Sequence, residues 1–279
     1  MVCGPGGGVA GVFTGWDGAE TMVCEQGANE RHDWQLTTEN QDRKRKERQR
    51  EFARQLDDGV LRDSVDDDLI RDCAADLGAA EAIRYASSKD GREIHGWGVT
   101  PPNYDADRAY PRMVEIHGGP ISNYGDRFSA EIQLYAAAGY VVFYPNARGS
   151  TSYGEAFGNL LYNDFSGGEY QDIMDGVNRL VERDYVAADS LYVTGGSAGG
   201  TSAAWITGKT DRFRAAAVQK PVTNWISKTL AADNYYGYAE YRYPGQPWEN
   251  PMEYWDVSPV SLLGSMSTPT VVIVGGDDL

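Results

Sequence analysis

The chain has 279 residues, 41% of them hydrophobic and 24% charged, which is enough for one large domain with a substantial core, or for a domain plus a smaller piece. Its formal net charge of −16 argues against nucleic acid as a partner, because a phosphate backbone would be repelled. The longest apolar runs, such as 140–144, suit buried strands rather than a membrane span, so no membrane partner is expected.

The opening stretch 1–13 is rich in glycine and carries no basic leader, so a secretory signal is not expected. Cys3, Cys24 and Cys73 match no metal spacing and have no cysteine partner later in the chain. They read as free thiols in a reducing compartment, which points to a cytoplasmic location. Residues 1–80 are otherwise irregular and polar, with one helical stretch over 41–56. The run Asp42-Arg43-Lys44-Arg45-Lys46-Glu47-Arg48 inside it interleaves both signs and reads as a solvated helix face.

From Glu81 the pattern changes. Two short β-like runs, 82–88 and 92–99, flank Lys89-Asp90-Gly91, where Asp-Gly signals a hairpin. An apolar strand over 113–116 leads into His117-Gly118-Gly119-Pro120. A helix is expected over 128–138 with Gly139 as its C-terminal cap, followed by a buried strand over 140–144. The clearest helix spans 169–183, where Tyr170, Ile173, Met174, Val177, Leu180 and Val181 form one apolar stripe. Further strands are expected over 191–194, 215–218 and 271–274. Strands alternating with helices predict an α/β fold built on a mostly parallel sheet, occupying 81–279.

Three motifs in this part carry chemistry. Gly195-Gly196-Ser197-Ala198-Gly199 reads Gly-x-Ser-x-Gly directly after a strand and directly before a helical pattern. A sharp strand-to-helix turn strains the serine and tolerates only minimal side chains around it, hence glycine two before and two after. Such a turn exposes the hydroxyl and aims a helix N-terminus at a developing oxyanion. The second motif is His117-Gly118-Gly119-Pro120, about 80 residues earlier, where a loop after a strand can supply a further backbone N–H. Gly119 N–H and Ala198 N–H are the candidates for the oxyanion hole, and His117 is read as a hydrogen-bonder that holds the loop's shape. The third is Gly275-Gly276-Asp277-Asp278 after the last strand. It places a carboxylate, Asp278, where a catalytic acid would follow the serine, the alternative for either aspartate being an ordinary surface turn.

From about Ala80 onward these motifs resemble peptidase family S9, the prolyl oligopeptidase family. The same resemblance covers Ser88-Lys89-Asp90-Gly91 with Gly96-Trp97, Thr268-Pro269-Thr270, and the specific block Pro145-Asn146-Ala147-Arg148-Gly149-Ser150-Thr151-Ser152-Tyr153-Gly154. It implies an α/β-hydrolase fold and a serine peptidase acting on short peptides through an acyl-enzyme at Ser197. It also selects Asp278 over Asp277 as the acid. Relatives carry a β-propeller ahead of this domain, so 1–80 is expected to be a short remnant of one, with Trp34-Gln35-Leu36-Thr37 and Asn40 resembling its closing segment.

The chain departs from the family pattern at two further points. Ala198 stands where many relatives have tyrosine. The family's histidine follows the acid, yet His32, His95 and His117 all precede Ser197. The chain is therefore expected to be C-terminally incomplete, a fragment with little activity of its own. The resemblance further implies that the aromatic-rich segment 234–255 helps line the substrate pocket, with Tyr235, Tyr236 and Trp248 as candidates and Trp225 ahead of it as another, the alternative for each being an aromatic packed onto the core. Dipeptidyl-peptidase, acylaminoacyl-peptidase and oligopeptidase specificity are all compatible with these residues. The other readings are a carboxylesterase of the same fold and a degenerate hydrolase domain that binds partners without catalysis. No cofactor or metal signature is found.

Overall fold

A computed structural model describes residues 77–276 except 163, 165–166, 184, 233–241 and 244. The expected helix over 41–56, the three cysteines, the propeller-like segment, Tyr235, Tyr236, Asp277 and Asp278 lie outside the described residues. The described elements, in chain order, begin with strands β1 (Ala80–Ala86), β2 (Glu93–Val99) and β3 (Tyr110–Ile116). Helix α1 (Ala130–Ala137), β4 (Val141–Asn146), the short α2 (Glu155–Gly158) and α3 (Gly168–Val181) follow. The remainder comprises β5 (Val186–Gly196), α4 (Ala198–Lys209), β6 (Ala215–Gln219), α5 (Trp225–Ala231), α6 (Pro251–Asp256) and β7 (Thr270–Ile273).

The strands make one sheet in the order β1-β2-β4-β3-β5-β6-β7. β1, β2 and β4 pair antiparallel, and every pairing from β4 through β7 is parallel. Parallel strands covered on both faces read as continuous apolar runs, and β4, Val-Val-Phe-Tyr-Pro-Asn, is buried at every position. Its side chains alternate between two layers. Phe143 joins the core under α3 with Ile173, Val177, Leu180, Val114 and Val193, whereas Val142 and Tyr144 join a second core with Ile132 and Ala136 of α1. The stripe expected on α3 is the buried face, with Tyr170 and Val181 at its partly buried margin. Gly176 lets that helix lie close to the sheet, since a Cβ there would meet the Phe143 ring at 2.5 Å.

The ends of the elements differ from the expectation for local reasons. Helix α1 starts at Ala130, not Phe128, because Ser129 takes the N-cap and accepts from the Ile132 N–H. Gly139 does follow its end, at φ 94°, donating to the Ala136 carbonyl. The hairpin between β1 and β2 is wider than its Asp-Gly signal suggests. The strands stop at Ala86 and resume at Glu93, closed by Ser87 N–H to Arg92 O at 2.8 Å. Ser87 and Asp90 are drawn away from a tight turn by Arg148, as described below. Strands β3 and β5 extend further toward the start of each strand than their apolar runs imply, since Tyr110 pairs with Val186 past an irregularity in the register. β7 lies at the sheet edge, and Val271, Val272 and Ile273 are each more than half exposed. Among the described residues no helix is long and apolar enough to cross a membrane.

Candidate active site

The end of β5 and the start of α4 are joined at one residue, Ser197. Its backbone stands at φ 58° and ψ −120°, a positive φ for a residue with a side chain. Such a conformation costs on the order of 1–3 kcal/mol and persists only where the surroundings enforce it. Here they do. Ser197 N–H donates to Gln219 O of β6 at 3.0 Å, and Ser197 O accepts from Thr201 N–H at 2.9 Å. The Thr201 hydroxyl also reaches Ser197 O, at 3.2 Å, and accepts from Val222 N–H at 2.9 Å. The turn is therefore held on one side by β6 and on the other by its own helix.

The glycines around the serine answer to packing as well as to the turn. The first turn of α4 lies against the backbone at the end of β3, so a Cβ on Gly199 would stand 1.9 Å from Ile116 O and 2.7 Å from Ile116 C. A Cβ on Gly195 would meet Gly199 and Ile116 backbone atoms, each at 2.6 Å, and one on Gly200 would meet Gln219 O at 2.4 Å. Backbone cannot step aside as a flexible side chain can. Gly199→Ala should therefore destabilise the fold by about 3 kcal/mol or more, at or above the upper end of overpacking costs, and should also displace Ser197. A urea midpoint close to wild type would show that β3 and α4 can separate without penalty.

The loop after β3 is the second part of the site. Gly119 has φ 114°, and the Gly119–Pro120 peptide is cis. A Cβ at Gly119 would lie 2.5 Å from Ile121 N, so glycine is required there. Both ring nitrogens of His117 are engaged, Nδ1 with Gly118 O at 2.7 Å and Nε2 with Ser150 Oγ at 3.0 Å. Ser150 in turn donates to Ala147 O at 2.6 Å, and Thr151 N–H to Ser122 O at 2.9 Å. His117 thus joins the loop after β3 to the loop after β4. Its burial lowers the imidazole's pKa, opposed by the contact with Gly118 O and reinforced by Arg127. His95 lies on β2, with Nε2 2.8 Å from Glu93 Oε1 and its ring edge-on to Tyr153.

The two loops share a cavity. Pro120, next to Gly119, and Ala198, next to Ser197, both line it, together with His117, Arg148, Glu169 and Ser202. Sequence reasoning placed Gly119 and Ala198 in one hole from motif spacing, and the structure brings their loops to one space. Two residues of that space carried no role in the sequence. Arg148 is buried and donates through Nε and Nη2 to both oxygens of Asp172 on α3, at 2.9 and 2.8 Å, and its own N–H binds Asp172 Oδ2 at 2.9 Å. Nη2 also reaches Ser87 Oγ at 3.0 Å, and the guanidinium meets Asp90 at 3.3 Å. One side chain therefore ties the hairpin, the loop after β4 and α3 together, and Asp172 raises the arginine's pKa further. Glu169, in the first turn of α3, is 5% exposed and accepts from the Ser202 hydroxyl. Burial pushes its carboxyl up to about 7, opposed by the Ser202 hydrogen bond, with Asp172 and Asp164 adding to the rise and Arg242 opposing it. Glycine-rich motifs announce themselves in a sequence, whereas a buried acid on a helix carries no such signal.

On the other side of Ala198 is an aromatic group. Trp225, 2% exposed, packs with Tyr243, Tyr254, Leu161 and Ala198, with Val222 and Val257 partly buried against it. The Trp225 and Tyr243 rings lie 5.6 Å apart and those of Tyr243 and Tyr254 4.3 Å apart. Asn224 fixes Trp225 at the start of α5 by capping it, its Oδ1 accepting from Ile226 N–H at 2.9 Å, while Trp225 N–H donates to Ser258 Oγ. Trp248 stands apart from this group, 69% exposed. Leu161 had no signal in the sequence, and Tyr243 and Tyr254 were visible only as members of an aromatic-rich run.

The sequence profile of the prolyl oligopeptidase family matches residues 126–279. The uncharacterized peptidase YuxL of Bacillus subtilis is 37% identical over 199 residues, covering 71% of this chain and 30% of its own length. Dipeptidyl-peptidase 5 of Schizosaccharomyces pombe is 32% identical over 193 residues, 67% of this chain and 28% of its own. Among solved structures, the Pyrococcus horikoshii acylaminoacyl peptidase superposes with a TM-score of 0.69 at 25% identity, covering 75% of this chain and 34% of that one. A puromycin hydrolase superposes at 0.65 with 26% identity over 71% of this chain and 31% of its own. The chain thus spans about 30% of the length of the curated relatives it matches. It has the α/β-hydrolase fold of these peptidases, and it belongs to the prolyl oligopeptidase family.

Proposed function

We propose that the chain carries the nucleophile part of a serine peptidase that hydrolyses short peptides through an acyl-enzyme at Ser197. The observation that carries this reading is the strained turn at Ser197, held between β6 and α4, with Ala198 and the loop of Gly119 facing one cavity. Ser197 Oγ attacks the peptide carbonyl and gives its proton to a base. The oxyanion accepts from the N–H groups of Gly119 and Ala198, and the amine leaves with the proton. Water then hydrolyses the ester and restores the serine. Asp278 orients the base.

In this reading the base is a histidine that follows the acid in the chain, as in the family, since His32, His95 and His117 all precede Ser197 and His95 and His117 have contacts of their own. Ala198 borders the Trp225 group, which supports aromatic walls for an apolar side chain at that end of the site, with Tyr235 and Tyr236 as further candidates; Trp248, exposed to solvent, is not among them. In this reading residues 1–80 are what remains of a propeller, and the protein works in a reducing compartment.

The test compares peptide p-nitroanilides with p-nitrophenyl esters, using both the protein as its source makes it and the 279-residue chain. The native protein should cleave the anilides, and the chain alone should show turnover near background. Ester turnover without anilide turnover would make it a carboxylesterase. A native mass equal to that of the chain, with neither substrate cleaved, would favour a non-catalytic domain.

A further inference from the structure

Ser202 lies one helical turn after Ala198 on α4, and its hydroxyl reaches two acceptors, Glu169 Oε1 and the Ala198 carbonyl oxygen, the latter at 3.0 Å. A serine hydroxyl has one proton to donate. If Glu169 is ionised, the carboxylate takes that proton and the second contact is lost. If Glu169 is protonated, its O–H donates to Ser202 Oγ and Ser202 donates onward to Ala198 O, so both contacts are made. Only the carboxylic acid lets both contacts be made at once.

The charges around Glu169 come from several elements. Asp172 is one turn further along its own helix, Asp164 precedes that helix, and Arg242 precedes α6. Arg148 of the loop after β4 and His117 of the loop after β3 line the same cavity, the arginine already committed to Asp172 and Asp90.

We infer that Glu169 is a proton-carrying positioning residue for the nucleophile helix. As the acid it clamps the first turn of α4 through Ser202 and brings no charge to the cavity beside Ala198. As the carboxylate it releases the Ser202–Ala198 bond and places a negative charge next to the hole. The effect on the hole rests on the reading of Ala198 N–H as an oxyanion donor, whereas the clamp does not. The sign for stability follows from where the proton is held. The folded protein keeps it up to about pH 7 and the unfolded chain only to 4.5, so this group's contribution to stability is full below 4.5 and is lost as pH rises to about 7.

Two measurements on the whole chain test the clamp. The first is a ¹³C titration of glutamate carboxyls, with Glu169→Gln identifying the signal. It should titrate near 7 and move upward in Ser202→Ala, which removes a donor to the carboxylate. The second is amide exchange in the first turn of α4, corrected for intrinsic rate, at pH 6 and pH 8. Wild-type protection should fall about three- to tenfold, the equivalent of one hydrogen bond. Glu169→Gln, which donates at every pH, should keep its protection, and Glu169→Ala, which leaves the Ser202 proton to the Ala198 carbonyl, should show no fall between the two pH values. A Glu169 signal titrating near the ordinary 4.5, or the same pH dependence in wild type and Glu169→Gln, would overturn the inference. Ser197→Ala should leave the titration and the exchange unchanged, so failure of the peptidase reading and failure of the clamp appear in different experiments.

Discussion

Under the proposed mechanism, replacing Ser197 by alanine should lower peptide turnover of the native protein by about a million-fold, the loss seen when a triad nucleophile is removed. What survives is the contribution of binding and of the two backbone N–H groups, which the substitution leaves in place. A second substitution at the same position separates catalysis from strain. Ser197 holds φ 58°, a region open to glycine at little steric cost. Ser197→Gly should therefore be as inactive as Ser197→Ala yet more stable than wild type by about 1 kcal/mol, the strain relieved less the extra entropy of an unfolded glycine. Urea melts and anilide assays on the three proteins check both halves. Turnover retained in Ser197→Ala would remove Ser197 from the mechanism. Equal stability of the glycine and alanine variants would mean the turn stores no strain.

Removing the Arg148 guanidinium should be the most destabilising single change outside the glycines. Asp172 is 0% exposed and has the arginine as its bidentate partner. Arg148→Met fills similar volume but leaves a buried carboxylate without its cation, which costs about 3–5 kcal/mol where one member of a buried pair is deleted. Asp90 contributes far less, because its side chain is one-third exposed and solvent screens it, so Asp90→Ala should cost about 1 kcal/mol or less. The double change Arg148→Met with Asp172→Leu should recover most of the loss, since an apolar pair of the same size needs no compensation. Denaturant midpoints for the four proteins decide it. If Arg148→Met lies within 1 kcal/mol of wild type, the clamp does not hold the hairpin, the loop after β4 and α3 together.

Much of this site was legible in the sequence because its parts are local. A strand, a serine between glycines and a helical pattern lie within some twenty consecutive residues, and the backbone geometry they require follows from sterics. The same holds for β4, whose unbroken apolar run is what burial on two faces demands, and for α3, whose stripe has the helical period. The Asn146 to Gly154 block was recognisable as a pattern, but its arginine had no assigned task. Its partner Asp172 is 24 residues away and Asp90 58 residues away, and neither separation has a period to betray it.

Burial divides the aromatics in the same way. Trp225, ahead of the aromatic-rich stretch, and Trp248, within it, were both pocket candidates, yet one is enclosed beside Ala198 and the other faces solvent. Composition cannot make that distinction, because burial depends on which other elements arrive. The sequence by itself determined the seven strands in order, the helices α1, α3 and α4 and the turn at Ser197, all of which rest on short-range requirements, and its motifs carried the resemblance to the family. Only the tertiary structure decided that Gly199 must be glycine because β3 passes beneath it, that Arg148 answers Asp172, and that Glu169 meets Ser202 behind the nucleophile. Each of these is a contact between segments far apart in the chain, where the energy comes from desolvation and close approach rather than from any property of the local sequence.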